Sequence, residues 1–366
     1  MPLVLLKQTS IDFIGKRRLA YAASVCMLLV GLFSCLFGNG FRLGIDFAGG
    51  VIVQVRFDRG VSDEALKKSL DIPGLPGTST QRFGEADRVY LLRFAKQEDG
   101  SSSDLRSLVL ERLASAFPDN PSRIERMEVV GPKVGSDLTN KALSALYYAI
   151  LLIAVYISGR FEHRWLTAAL MAAILWGCMY AVSSLVSLSM GWLVLMALLI
   201  TIATCYFLRL HFALGAILAL IHDVVITTGF LSLANMDIDL NVIAALLTII
   251  GYSLNDTIII YDRLREHLRK KKEESLARII NKSVNQTLSR TLVTSATTIA
   301  AALALFFLGG GVIHSFALTM LIGVCIGTFS SIFISSSLLL FLGSEEEYEK
   351  SQEEEHYEKP GEHGVV

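Results

Sequence analysis

Residues 166–208 read LTAALMAAILWGCMYAVSSLVSLSMGWLVLMALLITIATCYFL, without a single Asp, Glu, Lys, Arg or His. A helix needs about 20 apolar residues to cross the hydrocarbon core of a bilayer, so this run has room for two crossings and no use in a soluble core. The pattern extends outward. Residues 142–158 and 291–309 are also uncharged, and 213–233 carries only His222 and Asp223. The whole chain of 366 residues is 52% hydrophobic and 18% charged, below the ~25% charged of soluble domains, with a mean hydropathy of +0.52. This excludes a soluble enzyme, a disordered chain and a secreted disulfide scaffold. A formal net charge of -1 gives no footing for nucleic acid. Cys26, Cys35, Cys178, Cys205 and Cys325 all lie in apolar runs, which implies small buried packing groups and no disulfide.

Eight helices are expected to span, at 19–38, 142–158, 165–186, 189–208, 212–233, 240–261, 288–309 and 315–342. The first reads as a retained anchor, since its small-residue cleavage pattern is weak. Lys and Arg favour the cytoplasmic side. Lys7, Lys16, Arg17 and Arg18 place the N-terminus (1–18) inside. Arg160, Arg164, Arg209, His211 and the basic stretch from Arg263 to Arg290 then also fall inside. The short outer loops hold Val186–Met190, then Asp237 and Asp239, then Gly309–His314, with no Lys or Arg. Residues 139–342 form the bundle of seven further helices. The tail from 343 to 366 ends inside; its nine glutamates make disorder the default.

Residues 39–138 lie outside, between the first two spans. Val51–Phe57 alternates as a strand, Ser62–Leu70 is a helix capped by Ser62, Ser79–Phe83 and Arg88–Phe94 are strands, Ser103–Phe117 is a helix and Arg123–Val130 a last strand. The order β-α-β-β-α-β is ferredoxin-like. No nucleophile with a base, metal-ligand cluster or phosphate loop stands out in it. Gly44, Asp46, Gly49 and Gly50 form a motif at its head. By itself that motif reads as a tight turn at the membrane exit, using glycine's freedom at positive φ.

Three charged sites interrupt the membrane frame. They are His222–Asp223 in the fifth helix, Asn255–Asp256 within Ile249-Ile-Gly-Tyr-Ser-Leu-Asn-Asp-Thr-Ile-Ile-Ile, and Arg290 before the polar stripe Thr294, Ser295, Thr297 and Thr298. A charge at the bilayer centre costs ~3 kcal/mol on insertion scales, so such residues face a partner or a water path. Asp256 either faces a partner or a water path as a functional charge or is a structural carboxylate hydrogen-bonded across helices. Arg290 either pairs with it, at a similar depth, or snorkels to the interface. His222–Asp223 is either a mutual or interhelical hydrogen bond or a second functional site. Gly323 and Gly327, followed by Ser331, mark close helix packing.

At these residues the chain resembles the SecF family, the smaller partner in the SecDF accessory complex of the bacterial Sec translocon, itself similar to resistance-nodulation-division exporters. The matching pieces are Leu43-Gly-Ile-Asp-Phe-Ala-Gly-Gly, Val129-Val-Gly-Pro-Lys-Val-Gly, Ala219-Leu-Ile-His-Asp-Val-Val-Ile-Thr, Ile250-Gly-Tyr-Ser-Leu-Asn-Asp-Thr-Ile and Gln286-Thr-Leu-Ser-Arg-Thr-Leu-Val-Thr-Ser, in order. The resemblance implies an exporter-like helical bundle with a small extracytoplasmic ferredoxin-like domain. It implies no enzymatic activity, metal or cofactor, the proton gradient being the energy source, with coupling residues Asp256 and Arg290 beside Asn255. It implies a multi-pass protein of the bacterial inner membrane with both termini cytoplasmic. The implied partners are a SecD-like subunit, the SecYEG channel, a translocating preprotein and the lipid bilayer, with no nucleic acid. Two readings from other classes stay open: a stand-alone small-molecule exporter half, and a scaffold subunit without proton coupling.

The family has six spans where eight are counted here. Shifting the chain by 47 residues aligns Leu151-Leu-Ile-Ala-Val with Leu198-Leu-Ile-Thr-Ile, and Trp165-Leu-Thr-Ala-Ala-Leu-Met-Ala with Phe212-Ala-Leu-Gly-Ala-Ile-Leu-Ala. Either one hairpin, at 162–208, arose by duplication, or two apolar segments match by chance. The eight-span topology predicts that a cysteine at Met190, in a background lacking the native cysteines, reacts with an impermeant thiol reagent added to intact spheroplasts. Labelling only after lysis contradicts it.

Overall fold

A computed structural model describes residues 9–37, 40–70, 79–82, 88–94, 102–162, 165–185, 189–270, 274–309 and 311–342. Lys7, residues 84–87 between two expected strands, most of the 186–190 loop, Lys271, Lys272 and the acidic tail lie outside the described residues, as does the side chain of Cys178.

α1 (Arg17–Phe37) leads through the four-residue turn α2 (Ile45–Ala48) into the soluble domain. There follow β1 (Gly50–Phe57), α3 (Asp63–Ser69), β2 (Ser79–Arg82), β3 (Val89–Phe94), α4 (Ser102–Ala116) and β4 (Ser122–Val130). The sheet order is β2-β3-β1-β4 with all neighbours antiparallel, the ferredoxin-like arrangement. Alternation explains its core. Val51, Val53, Val55 and Phe57 of β1 point inward and meet Leu66 of α3, Tyr90, Leu92 and Phe94 of β3, and Val109 and Leu113 of α4. The Ser62 hydroxyl accepts from Ala65 N at 3.3 Å and caps α3.

The chain re-enters the bundle without a linker. α5 (Pro132–Glu162) starts on a proline, suited to a first helical position. α6 (Trp165–Leu185), α7 (Met190–Phe207), α8 (His211–Leu233), α9 (Leu240–Lys270), α10 (Leu276–Leu308) and α11 (Gly311–Ser330) follow. A π-helical stretch, Ser331–Ser335, continues α11 into α12 (Ser336–Leu342). Among the described residues, six helices are long and apolar enough to cross a membrane. The apolar stretches in α6 and α7, Trp165–Gly177 and Gly191–Phe207, are shorter. The eight expected spans thus divide into six full-length ones and a pair of shorter apolar helices. Several helices overrun the expected bounds, because α5, α9 and α10 carry polar turns beyond the apolar frame.

The bundle has two apolar cores. One, towards the end with the basic residues, joins Phe13, Phe161, Leu210, Ile217, Tyr261 and Ile280 among others. The other, towards the soluble domain, centres on Leu231, Leu246, Ile249 and Val324. α6 and α7 flank this body through α5 and α8, with Met171 against Cys205 (S–S 3.6 Å). Their outward faces carry Leu166, Trp176, Trp192 and Phe207, all exposed, as a lipid-facing surface requires. The expected buried packing role fits Cys205 alone among the described cysteines. Cys26 and Cys325 are exposed and Cys35 is half-buried, because their helices turn those positions away from the core.

Gly49 (φ +72°) and Gly50 (φ +128°) both adopt backbone conformations that side chains rarely tolerate, and a Cβ on Gly50 would lie 2.7 Å from the Phe94 carbonyl oxygen. Gly50→Ala is therefore expected to weaken the soluble domain by about 1–3 kcal/mol. Hydrogen exchange on the full chain checks this: β1 and β3 should exchange faster while α8 and α9 are unchanged. Unaltered exchange in β1 would contradict it.

Candidate functional site

Between the two apolar cores, α8, α9 and α11 meet at a polar layer. Asp223, only 1% exposed, is its hub. Its Oδ2 accepts from the Ser253 hydroxyl of α9 at 2.6 Å and from the Ser330 hydroxyl of α11 at 2.8 Å, and its Oδ1 lies 3.0 Å from Nδ1 of His222. Three helices are thereby joined through one carboxylate with both of its oxygens engaged, which is how a buried carboxylate is made tolerable. One turn further, the Thr257 hydroxyl meets Ser331 Oγ at 3.2 Å, and Ser331 donates to the Ser253 carbonyl at 3.3 Å. A further turn on, the Tyr261 hydroxyl donates at 3.2 Å to the Ser335 carbonyl, at the end of the π-helical stretch. Such wide turns shift the carbonyl ladder and recur at functional sites.

Gly323 and Gly327 let α11 approach α9 this closely. A Cβ on Gly323 would overlap Ile249, and one on Gly327 would stand 3.0 Å from Ser253 Cβ.

Asp256 sits one turn from Ser253, also 1% exposed, and neither carboxylate oxygen has a hydrogen-bond partner among the described residues. Thr291 of α10 has a buried hydroxyl in the same condition. The antiparallel register links the two. Tyr252 reaches Ser295 at 3.5 Å, so one turn further along each helix brings Asp256 level with Thr291. Arg290, next to Thr291, is exposed on the outer side of α10. The expected direct pair is not formed: no ion pair within 4.0 Å joins Arg290 to Asp256, although its charge acts on the carboxylate from a distance. The reason is rotational, since adjacent helix positions point about 100° apart and Thr291 takes the inward one. Asn255 is likewise turned outward and separated from Asp256. Of the hydroxyl stripe on α10, Ser295 bonds Thr328 of α11 at 2.6 Å, while Thr294, Thr297 and Thr298 bond carbonyls of their own helix.

The motif at the head of the soluble domain is fastened to the start of α9. Gly44 N donates to the Ile238 carbonyl at 2.8 Å and Ile238 N to the Arg42 carbonyl at 2.8 Å. Asp46 Oδ2 accepts from Leu240 N at 3.0 Å, and Asp239 Oδ1 from Val242 N at 2.8 Å, so two carboxylates cap the helix that carries Asp256. Asp237 pairs with Arg93 of β3 and, at 3.3 Å, with Arg42. Burial pushes the Asp239 carboxyl above its ordinary range, opposed by the Val242, Asn241 and Ser315 hydrogen bonds. Burial also draws the Arg93 guanidinium down, with repulsion from Arg42 adding to it.

Sequence reasoning missed Ser253, Ser330 and Thr291. Single hydroxyls are common in membrane helices, and only their convergence sets these apart. It also missed Arg42, Arg93 and Asp237, which come from three separated segments. Among the described residues no group of three or more His, Cys, Asp or Glu side chains could hold a metal ion. Gly327→Val is expected to force α11 from α9, break the Ser253–Asp223 bond and cost about 1–3 kcal/mol. A thermal melt of the purified chain should fall accordingly; an unchanged melt would contradict the packing described.

The comparisons with known proteins agree with this geometry. The family model for the protein export membrane protein SecD/SecF, C-terminal, matches residues 111–202 and 178–345, and that for the SecD/SecF GG motif matches residues 36–61. The protein translocase subunit SecF of Magnetococcus marinus is 42% identical over 341 residues, covering 93% of this chain and 94% of its own. That of Calditerrivibrio nitroreducens is 38% identical over 338 residues, covering 92% and 95%. A crystal structure of SecDF, a translocon-associated membrane protein from Thermus thermophilus, matches with a TM-score of 0.66 at 31% identity. It covers 93% of this chain, which spans only 39% of that longer one. A bundle with six full-length apolar helices among the described residues, a ferredoxin-like insert and these matches place the chain in the SecD/SecF family of protein export membrane proteins.

Proposed function

We propose that this chain is the SecF-type half of a SecDF-like complex that draws on the proton gradient to assist preprotein movement through the SecYEG channel. It works in the bacterial inner membrane with both termini cytoplasmic. The observation that carries the reading is Asp256, a buried carboxylate without a hydrogen-bond partner among the described residues, on a helix whose first turn is bonded to the soluble domain. A purely structural carboxylate in hydrocarbon finds donors, as Asp223 does. Asp256 instead exchanges a proton while Arg290 approaches and withdraws. One charge crossing ~100 mV is worth ~2.3 kcal/mol, enough to bias a conformational equilibrium more than tenfold. Movement of α9 is passed to the outer domain through Asp46, Asp237 and Arg93.

A partner on the α9–α10 face is supported by that face's chemistry. Ala244, Thr248, Gly251, Asn255, Arg290 and Thr297 are exposed, small or polar, unlike the large apolar side chains on α6 and α7. Such a surface suits helix against helix rather than lipid. A SecD-like half is the occupant proposed. The α6–α7 hairpin is proposed as a duplicated, peripheral addition that crosses the membrane twice. Helices of 21 and 18 residues measure about 31 and 27 Å at 1.5 Å per residue. The family match also splits into two overlapping pieces within this hairpin. A scaffold role without proton coupling is favoured by one observation, that Arg290 does not pair with Asp256.

Gradient-dependent translocation in inverted vesicles separates the two. Asp256→Asn keeps size but removes the titrating proton, and should abolish stimulation by the gradient with assembly near normal. Arg290→Lys keeps charge without the planar fork and should be impaired. Normal stimulation in the Asp256→Asn vesicles leaves the scaffold reading standing.

A further inference from the structure

α1 and α8 run parallel and meet at matching positions. A Cβ on Gly31 would stand 3.1 Å from Gly229 Cα, and Ser34 Oγ lies 3.0 Å from Ser232 Oγ. Both contacts have the same offset along the chain. Seven residues earlier, two helical turns on the same faces, that offset brings Ser24 level with His222. Ser24 is 4% exposed and His222 8%. Neither the Ser24 hydroxyl nor His222 Nε2 has a hydrogen-bond partner among the described residues. Two orphan polar atoms, one on each helix at one level of a seam, are costly unless something bridges them. A site with polar groups on both sides suits a water. Nearer the basic end, Tyr21 on the same face of α1 donates to Ser337 Oγ at 2.7 Å, extending the polar seam.

We propose that Ser24 and His222 form a second proton-binding site, separate from Asp256, in which His222 Nε2 takes a proton delivered by water along the α1–α8 seam. The other ring nitrogen is already committed, Nδ1 lying 3.0 Å from Asp223 Oδ1. The proton adds to Nε2 and converts the neutral imidazole to imidazolium, with the Nδ1–H bond to Asp223 retained. Transfer back to water restores the neutral ring. Asp223, held by Ser253 and Ser330, supplies the counter-charge and passes the event to α9 and α11. The other groups that bear on the site are Asp256, one turn past Ser253 on α9, Tyr21 on α1, and serine hydroxyls from α11 and α12. The buried residues of α5 and α7 include no carboxylate, lysine or arginine, their titratable members being Tyr147 and Cys205. The site does not require Asp256 to carry protons.

The test uses the full chain in lipid nanodiscs, labelled with nitrogen-15 at its seven histidines. Loss of one signal in His222→Gln identifies the residue. On acidification that signal should pass from the pattern of a ring protonated at Nδ1 to that of a doubly protonated ring. Ser24→Ala should weaken proton binding about tenfold, the loss of one hydrogen bond to a charged group. Asp256→Asn should leave the transition in place, so failure of the coupling reading and failure of this one are distinguishable. A neutral His222 ring at every pH, an unchanged transition in Ser24→Ala, or its disappearance in Asp256→Asn would each overturn the proposal.

Discussion

A carboxylate buried among membrane helices is costly unless donors meet it, and among the described residues Asp223 is so met while Asp256 is not. Asp223 has two serine hydroxyls and an imidazole around it, and it ties α8, α9 and α11 together. Asp256, one turn from Ser253, has no hydrogen bond among the described residues. The first fixes the helix contacts: Gly323 and Gly327 exist to let α11 close on α9 at that level, and the apolar cores stack above and below it. Hydrogen bonding of one carboxylate and its omission at the other are the contrast on which the proton-coupled reading rests.

Position along α9 gives that response somewhere to go. Leu240, the first residue of the helix, is held by Asp46 of the turn that opens the soluble domain, and Asp237 just before it is held by Arg42 and Arg93. About 24 Å of continuous helix separates Leu240 from Asp256 at 1.5 Å per residue. On the proton-coupled reading, a local electrostatic change at this carboxylate, midway along a helix pinned to the soluble domain at one end, displaces that domain. Gly49 and Gly50 belong to the same device. Their unusual backbone angles turn the chain from α2 into β1 beneath the α9 cap, where Pro132 and the Phe94 carbonyl leave no room for side chains.

The periodicity of the sequence carried the architecture well. The β-α-β-β-α-β order that begins with the alternation at Val51–Phe57 pointed to the ferredoxin-like insert, and uncharged runs such as 166–208 to the helical bundle. Helix ends were less legible, because α9 continues to Lys270 and α10 begins at Leu276, where polar turns outside the bilayer do not break helical geometry. Asp256 and His222–Asp223 were visible as charges in an apolar frame. Their partners were not: a serine such as Ser330 gains meaning only when three helices bring it to a carboxylate. Arg290 shows a different limit. Depth alone matched it with Asp256, but depth does not specify which way a side chain turns, and Thr291 occupies the inward position.

The central claim is that Asp256 binds and releases a proton inside the bundle. Infrared difference spectra of the full chain in lipid, recorded between neutral and acidic pH, test it directly, since a protonated carboxyl group has a carbonyl stretch that a carboxylate lacks. The account predicts a pH-dependent carboxyl band in the natural chain that is missing in Asp256→Asn. Identical difference spectra for the two proteins would contradict it.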